Sequence, residues 1–273
     1  LFGYGLTFVC DEREVRARDV LYEAHTFRKE QMPCDVIGLE PGWMETRYDY
    51  SLEKKWSEER FHFPFWLPGQ KPGGFPAALK NMGFKLSLWL CCDYDLSEYE
   101  EMQLGTACGL EAPTTGQQDA GAPTEDDLFQ DPHFQKDRRM FDTQHHPGEG
   151  WFEHLKKFVD DGAQCFKMDG ANQVLFHPDR KWRNGMDDAE MHNLYPVLLA
   201  KQMSRGYGDY TGRRAMIYTA CGYAGTQQYA ATWAGDTGGG EKPLVSLLNH
   251  GLSGHSNTSC DMQVWNPQGV HFG

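Results

Sequence analysis

Short apolar segments alternate along the chain with longer segments of helical period, and this alternation constrains the fold more than any other feature of the sequence. Alternating strands and helices are the pattern of parallel βα units. Seven segments have the composition of buried strands: 3–9, 34–40, 84–91, 163–169, 214–220, 231–236 and 256–261. Because a chain of 273 residues can bury one large core, a barrel of βα units is favoured over the alternative of two small domains.

The predicted fold is therefore α/β, a (β/α)8 TIM barrel that forms one domain over residues 1–273. Closing such a barrel takes eight strands, so the seven that are predicted leave it one short, and we expect the native protein to continue past Gly273. Residues 93–150 are rich in Gly, Pro, Thr, Asp and Gln and lack periodicity, which predicts a long insertion after the third strand. Insertions at this end of a barrel strand commonly shape a site.

Two helices have clear signals between the predicted strands. Apolar residues recur from Trp151 at i, i+1, i+4, i+7 and i+8, which predicts an amphipathic helix that Gly162 ends. A second helix is predicted to begin at Asp187, with Glu190 three residues later as in a capping box. Pro196 is expected to kink this helix or to mark its first turn.

The composition narrows the class of ligand. The formal net charge of −13 disfavours nucleic acid and anionic lipid surfaces, whose binding proteins carry basic patches, and favours a neutral partner. No apolar run approaches the roughly 18 residues of a membrane span. The eight cysteines lack zinc-ligand spacing, so reduced core thiols are favoured over a disulfide framework, and no metal or cofactor is predicted. A cytoplasmic and an exported location both remain open.

Two aspartates each close a predicted strand and open a glycine-containing loop. Asp169 ends the segment that begins at Ala163, and Asp236 ends the segment that begins at Ala231. In a (β/α)8 barrel the carboxyl ends of the strands carry the active site. Glycoside hydrolysis uses two carboxylic groups, one ionised and one protonated, so the pair predicts a retaining or inverting glycosidase. The alternative for each aspartate is a helix cap or a turn.

Four sequence blocks resemble glycoside hydrolase family 31 in their order and spacing. They are His192-Asn-Leu-Tyr195, Gly222-Tyr-Ala-Gly-Thr-Gln-Gln-Tyr229, Trp233-Ala-Gly-Asp236, and Ser253-Gly254 followed by Cys260-Asp261. The resemblance implies a (β/α)8 catalytic domain that a β-sandwich normally precedes and β-domains follow; these flanking domains are not found in the sequence. It also implies a metal-independent, retaining mechanism on α-glycosides, and hence a carbohydrate substrate.

Carried onto this sequence, the family's pattern makes Asp169 the nucleophile and Asp236 the acid/base. Asp169 must stay ionised to attack the anomeric carbon, and Lys167, two residues earlier on the strand, is expected to point to the same face. Asp236 must hold a proton near neutral pH until the leaving group departs, and it then acts as the base that activates water.

Other residues are expected to contact the sugar. Glu40 matches the position where the family usually has an aspartate that binds sugar hydroxyls; a salt-bridged carboxylate at a strand end is the equal alternative. Trp43, Trp89 and Trp233 are candidates for stacking on a sugar face, with core packing as the alternative, and Trp233 is the preferred one.

Four further positions complete the set. Motif position places Tyr223 in the pocket. Asp261, in the last predicted strand, is expected to be a carboxylate that supports the site from beneath rather than a catalyst. His255 and Asn257 are either substrate contacts or packing and capping residues.

Two departures from the family pattern bear on the sugar. Lys167-Met-Asp169-Gly170 replaces the usual Asp-Met-Asn-Glu context and resembles α-galactosidases and α-N-acetylgalactosaminidases of related families, where this lysine binds sugar hydroxyls. Ala220 stands where the family commonly has an arginine near the sugar's 2- and 3-positions, and its small side chain leaves space for a 2-acetamido group. An ordinary 2-hydroxyl, with another residue in the gap, is the alternative.

The sequence therefore predicts a retaining exo-α-glycosidase for terminal galacto-configured residues, with α-linked N-acetylgalactosamine preferred. An α-galactosidase or α-glucosidase is the alternative within enzymes. A non-catalytic carbohydrate-binding barrel is the alternative outside them. A third alternative is that this stretch of sequence, without an eighth strand, is aggregation-prone and inactive even though its parent is an enzyme.

Overall fold

A computed structural model of the chain describes residues 6–10, 15–45, 54–61, 74–90, 151–169, 188–220, 222–235 and 241–262. Within these residues, seven strands form one sheet. The strands are β1 (Thr7–Cys10), β2 (Val36–Leu39), β3 (Lys85–Leu90), β4 (Ala163–Met168), β5 (Met216–Thr219), β6 (Ala231–Trp233) and β7 (Thr258–Ser259). Each of them overlaps one of the segments predicted as strands.

The strands pair in chain order from β1 to β7, and every pair is parallel. A doubly wound sheet reverses its direction part of the way along, whereas a barrel advances by one strand with each connection. The observed order is therefore that of the predicted α/β barrel. The carboxyl ends of all seven strands lie along one edge of this curled sheet.

Six α-helices are present in the described part of the chain. They are α1 (Ala17–Lys29), α2 (Glu58–Phe61), α3 (Gly74–Asn81), α4 (Trp151–Asp161), α5 (Asp188–Thr211) and α6 (Glu241–Leu252). The predicted amphipathic helix is α4, which buries Phe152, Leu155 and Phe158. Gly162 follows it with φ of 121°, a left-handed conformation that favours glycine at a helix end.

The second predicted helix corresponds to α5. Its proposed first residue, Asp187, lies outside the described residues. Pro196 lies in the interior of α5, so the expectation that it marks the first turn is wrong. The missing N–H of a proline costs one helical hydrogen bond, but burial of Leu198, Leu199 and Met203 stabilises the helix around it.

The register of the sheet divides the side chains of its central strands between two faces. Ser87 pairs with Cys165, Trp89 with Lys167, and Lys167 with Tyr218, so all five share one face. The alternate positions are apolar and buried in the core: Leu86, Leu88, Phe166, Met168 and Ile217. The face that carries Ser87, Trp89, Lys167 and Tyr218 is here called the inner face, and it leads up to the carboxyl edge.

Three further predictions concern the insertion, a membrane span and the cysteines. The insertion expected at 93–150 lies outside the described residues. No described helix is both long and apolar enough to cross a membrane. Of the cysteines that the structure describes, Cys10, Cys34, Cys165 and Cys260 are free thiols, and the first three are buried, as expected for reduced core cysteines.

Candidate active site

Asp169 lies directly after β4, at the carboxyl edge of the sheet. Its backbone N–H donates to the carbonyl of Leu90 at 2.8 Å, which extends the β3–β4 ladder by one residue. The indole Nε1–H of Trp89 donates to Asp169 Oδ2 at 3.0 Å. The aspartate is half-buried. Both its backbone and its carboxylate are therefore held by β3, and the side chain stands on the inner face, as its spacing from Lys167 predicts.

Lys167 and Glu40 form an ion pair beside Asp169. The Lys167 Nζ lies 3.0 Å from Glu40 Oε1, and their side chains are only 9% and 17% exposed. Burial by itself lowers the pKa of Lys167, but the carboxylates of Glu40 and Asp169 outweigh it and hold that pKa above its usual range. Lys167 is therefore a fixed ammonium between two carboxylates.

Trp233 brings β6 to the same cluster. The Lys167 ammonium lies 5.1 Å from the centroid of the Trp233 ring, although β5 separates their two strands. Tyr218 of β5 contacts the same ring edge to face at 5.6 Å, and its hydroxyl lies 3.3 Å from Ser87 Oγ of β3. These contacts across intervening strands show that the inner side chains converge, as the curvature of a barrel requires.

The indole N–H of Trp233 is buried and has no hydrogen-bond partner in the described part of the chain. Trp233 is 2% exposed. Buried donors are nearly always paired, so an unpaired N–H at a strand end beside a charged cluster is a candidate donor to a ligand. By contrast, the indole N–H groups of Trp43 and Trp89 both have acceptors.

Trp43 is a core residue in this structure. It lies in the 3₁₀ turn Pro41–Trp43, has no exposed surface, and packs edge to face against Trp56 and Phe158 at 5.1 and 4.9 Å. Its indole N–H donates to the backbone carbonyl of Trp89 at 2.9 Å. The expectation that Trp43 stacks on a sugar is therefore corrected: neighbouring rings and the hydrogen bond occupy it, and it supports Trp89 instead.

The turn that carries Trp43 is fixed by a buried arginine. Arg60 of α2 is 8% exposed and donates from Nε to the carbonyl of Gly42 at 2.8 Å and from its terminal nitrogen to that of Met44 at 2.6 Å. A planar guanidinium can reach two carbonyls at once. Arg60 thereby holds the segment that follows Glu40, and nothing in its local sequence distinguishes it from an exposed helical arginine.

Three predicted site residues remain, and one of them, Asp236, lies outside the described part; the described chain leads toward it from β6 as far as Gly235. Tyr223 is 55% exposed on the loop after β5. Asp261 follows β7 and is half-buried; burial, together with the Asp261 carboxylate, raises the pKa of Cys260. The structure therefore brings together Glu40, Lys167, Asp169 and Trp233.

Sequence reasoning did not identify Tyr218, Ser87 or Arg60 as neighbours of the site. The signal for Tyr218 was available, because it is a polar aromatic at an alternate position of a predicted strand, like Lys167. Burial holds the pKa of Tyr218 well above its usual range, so it stays a neutral phenol. Its hydroxyl and that of Ser87 line the inner face beneath the ion pair.

The cluster has the chemistry of a site for a neutral, hydroxyl-rich ligand. It offers charged acceptors, a charged donor and indole rings within one small region. Among the described residues, no group of three or more His, Cys, Asp or Glu side chains is arranged to hold a metal ion. A carboxylate at the end of β4, oriented by an indole N–H, is also placed as a nucleophile would be.

Comparison with known families agrees with this geometry. The sequence profile of the glycosyl hydrolases family 31 TIM-barrel domain matches residues 2–267, nearly the whole chain. An α-xylosidase of Emericella nidulans is 24% identical over 229 residues, which cover 83% of this chain and 27% of that enzyme. A 1,3-α-isomaltosidase of Kribbella flavida is 29% identical over 119 residues, which cover 42% of this chain and 15% of that enzyme. An α-glucosidase of Hordeum vulgare is 28% identical over 116 residues, which cover 40% of this chain and 13% of that enzyme.

Solved structures share the fold. A family 31 α-xylosidase from a soil metagenome, complexed with xylose, superposes with a TM-score of 0.68 at 19% identity, covering 96% of this chain and 37% of that one. A family 31 dextranase of Flavobacterium johnsoniae, complexed with glucose, has a TM-score of 0.63 at 22% identity, covering 94% and 32%. The chain spans less than a third of the curated relatives' length.

Proposed function

The chain belongs to glycosyl hydrolase family 31, and from this membership we propose that its parent protein is a retaining α-glycosidase with Asp169 as the nucleophile. One observation carries the proposal. The carboxylate of Asp169 stands at the carboxyl end of β4 and accepts a hydrogen bond from Trp89, within a cluster that Lys167, Glu40 and Trp233 complete. Such a constellation at strand ends is where a barrel enzyme places its chemistry.

The reaction follows from the roles assigned to the two aspartates. The Asp169 carboxylate attacks the anomeric carbon while the bond from that carbon to the glycosidic oxygen breaks, and Asp236 gives its proton to the departing oxygen. In the second step water attacks the anomeric carbon, Asp236 takes the proton from that water, and the bond to Asp169 breaks to regenerate its carboxylate. Asp236 is assigned from the family motif, at the end of the segment that β6 begins.

The remaining site residues are proposed to bind the sugar. Lys167 and Glu40 offer a donor and an acceptor 3.0 Å apart, a spacing that suits two adjacent hydroxyls of one ring. The unpaired N–H of Trp233 would donate to a ligand oxygen and so satisfy a buried polar group. Tyr223 is proposed as a contact at the rim, from the loop after β5, and Asp261, after β7, as a carboxylate that supports the sugar site.

The proposal is tested with activated aryl α-glycosides. Wild-type protein should release the aryl group and give the α-anomer first, as seen by NMR. Asp169→Ala should lower kcat by about 10⁴-fold or more. Azide should restore turnover of this variant and give the β-glycosyl azide, because azide enters from the nucleophile's side. Asp209→Ala, on the exposed face of α5, is the control and should keep wild-type activity.

Asp236 is tested through the leaving group. Asp236→Ala should reduce kcat/KM strongly for poor leaving groups and weakly for dinitrophenyl glycosides, which need little protonation. An equal loss of kcat/KM for all leaving groups would show that Asp236 is not the general acid. Full activity of Asp169→Ala, or release of the β-anomer by the wild type, would overturn the retaining mechanism.

Which sugar occupies the site is a finer proposal, and two candidates have support. The curated relatives are named for α-xylosidase, isomaltosidase and α-glucosidase activities, which favours an α-glucoside or α-xyloside. None of these three names supports the galacto-configured subtype. That subtype, with α-linked N-acetylgalactosamine preferred, stands on the Lys-Met-Asp-Gly motif and on Ala220.

A panel of nitrophenyl α-glycosides separates these candidates. We expect kcat/KM to be highest for the N-acetylgalactosaminide if Ala220 leaves room at C2, and Ala220→Arg should then lower it selectively. The galacto-configured proposal would be discarded if kcat/KM is highest for the glucoside or xyloside and if the acetamido sugar does not compete with it as a substrate. The reaction class would then stay intact.

A further inference from the structure

We infer that Trp89 is the positioning residue of the nucleophile: its indole N–H holds Asp169 Oδ2 and keeps the carboxylate aimed at the anomeric carbon. The contact is 3.0 Å long and runs from β3 to the residue that follows β4. The catalytic consequence rests on the proposed function, whereas the contact can be tested without it. Trp89 and Asp169 are far apart in sequence, and each is fixed by its own strand.

The indole of Trp89 is itself held in place. Trp89 is 5% exposed, and its backbone carbonyl accepts the indole N–H of Trp43 at 2.9 Å. Trp43 in turn is wedged between Trp56 and Phe158, and Arg60 clamps the turn that carries it. The donor that meets Asp169 therefore belongs to a rigid layer beneath the site, which is what orientation of a nucleophile requires.

A donor on a carboxylate stabilises negative charge that develops on it. In the second step the Asp169 carboxylate leaves the anomeric carbon and becomes an anion again, and the indole N–H of Trp89 stabilises that developing charge. Removing the donor should therefore slow deglycosylation.

Trp89→Phe is the test in activity, because it keeps an aromatic ring and removes the donor. With a dinitrophenyl α-glycoside, whose turnover is limited by deglycosylation, kcat should fall about 10- to 100-fold. A residue that only packs would lower the free energy of unfolding and leave the kcat of the folded protein unchanged.

Tyr210→Phe is the matched control. The phenol O–H of Tyr210 also donates to an aspartate, Asp160 Oδ1, at 2.6 Å, but at an exposed position where α5 meets α4. This variant should keep the wild-type kcat. An unchanged kcat in Trp89→Phe, or an equal loss in both variants, would overturn the inference. Trp56, whose indole N–H donates to Asp161 Oδ2 at 3.0 Å, is the reference for the second readout.

A second readout does not need turnover. In protein with ¹⁵N-labelled tryptophan, the indole N–H signal of Trp89, assigned through the backbone, should move when Asp169 is replaced by Asn, whereas the Trp56 signal should stay. Asp161→Asn should give the opposite pattern. If the Trp89 signal does not move in Asp169→Asn, the inference fails. If the signal moves but the wild type cleaves no α-glycoside, the proposed function fails instead.

Discussion

The ammonium of Lys167 lies 3.0 Å from Oε1 of Glu40, and the two side chains are 9% and 17% exposed. The pair joins β4 to the end of β2, across β3, on the inner face of the sheet. Because both groups are largely removed from water, each depends on its charged neighbours, and Asp169 is the second carboxylate that acts on Lys167. The charge balance of this cluster is therefore expected to affect stability.

Removing one member of this pair should destabilise the fold. Lys167→Met leaves the Glu40 carboxylate without its ammonium, and we expect the free energy of unfolding to fall by about 3–5 kcal/mol, measured by urea denaturation. Glu40→Gln should cost less, because Asp169 still faces Lys167. The exposed pair Arg16–Glu59, at 3.2 Å and about half exposed, is the control, and Glu59→Gln should cost about 0–1 kcal/mol. Equal losses at both pairs would show that burial does not matter here.

Replacing the buried arginine should loosen the turn after β2. Arg60→Lys keeps the charge but cannot reach the carbonyls of both Gly42 and Met44, so one buried acceptor loses its donor. The expected loss is about 2 kcal/mol in the free energy of unfolding. Arg16→Lys, at an exposed position, should change it by less than about 0.5 kcal/mol. If Arg60→Lys leaves the free energy of unfolding unchanged, the turn is held by packing alone.

The packing of α4 against α5 should forbid a side chain at Gly206. A Cβ built there would overlap Phe152, at its Cβ and its ring. Gly206→Ala should therefore cost about 1–3 kcal/mol, despite the better helix propensity of alanine. Gly208→Ala, in the same helix, meets only the Arg213 carbonyl at 3.6 Å and should stabilise by up to about 1 kcal/mol. The midpoints of thermal unfolding of the two variants should move in opposite directions.

Stability should fall at alkaline pH, in part through one core thiol. Burial raises the pKa of Cys165 to about 12. Above about pH 9 the thiol ionises in the unfolded state but keeps its proton in the folded state. The free energy of unfolding therefore falls by up to about 1.4 kcal/mol per pH unit. The advantage of the folded state is complete below pH 9 and is lost as the pH approaches 12.

Cys165→Ala isolates this contribution. Its free energy of unfolding should start lower than that of the wild type at pH 7.5, because a buried sulfur is removed, and the difference should shrink between pH 9 and 10.5. Parallel curves for the two proteins would contradict the raised pKa of this thiol.

The sequence was sufficient to predict the strands and helices and part of the site. Apolar runs of strand length predicted all seven described strands, and the position of Asp169 at the end of one of them predicted its place at the carboxyl edge. The period of two along β4 predicted that Lys167 and Asp169 share a face. These inferences succeed because alternation and helical period are written in neighbouring residues.

Other inferences needed the packed structure. Trp43 and Trp89 both stand at or just after strand ends and look alike in sequence, yet one is locked between Trp56 and Phe158 while the other reaches Asp169. Arg60 resembles any helical arginine until its two carbonyl partners are seen. Burial and partner choice depend on how distant elements pack, which local composition does not record.

The sequence by itself determined a chain of βα units, the family of the barrel, and the acidic residue that ends its fourth strand. Only the tertiary structure decided that Lys167 pairs with Glu40, 127 residues away, and that the indole N–H of Trp89 meets Asp169 across 80 residues. The physical reason is that strand periodicity is a local property, whereas the register and curvature of the sheet choose which inner side chains meet.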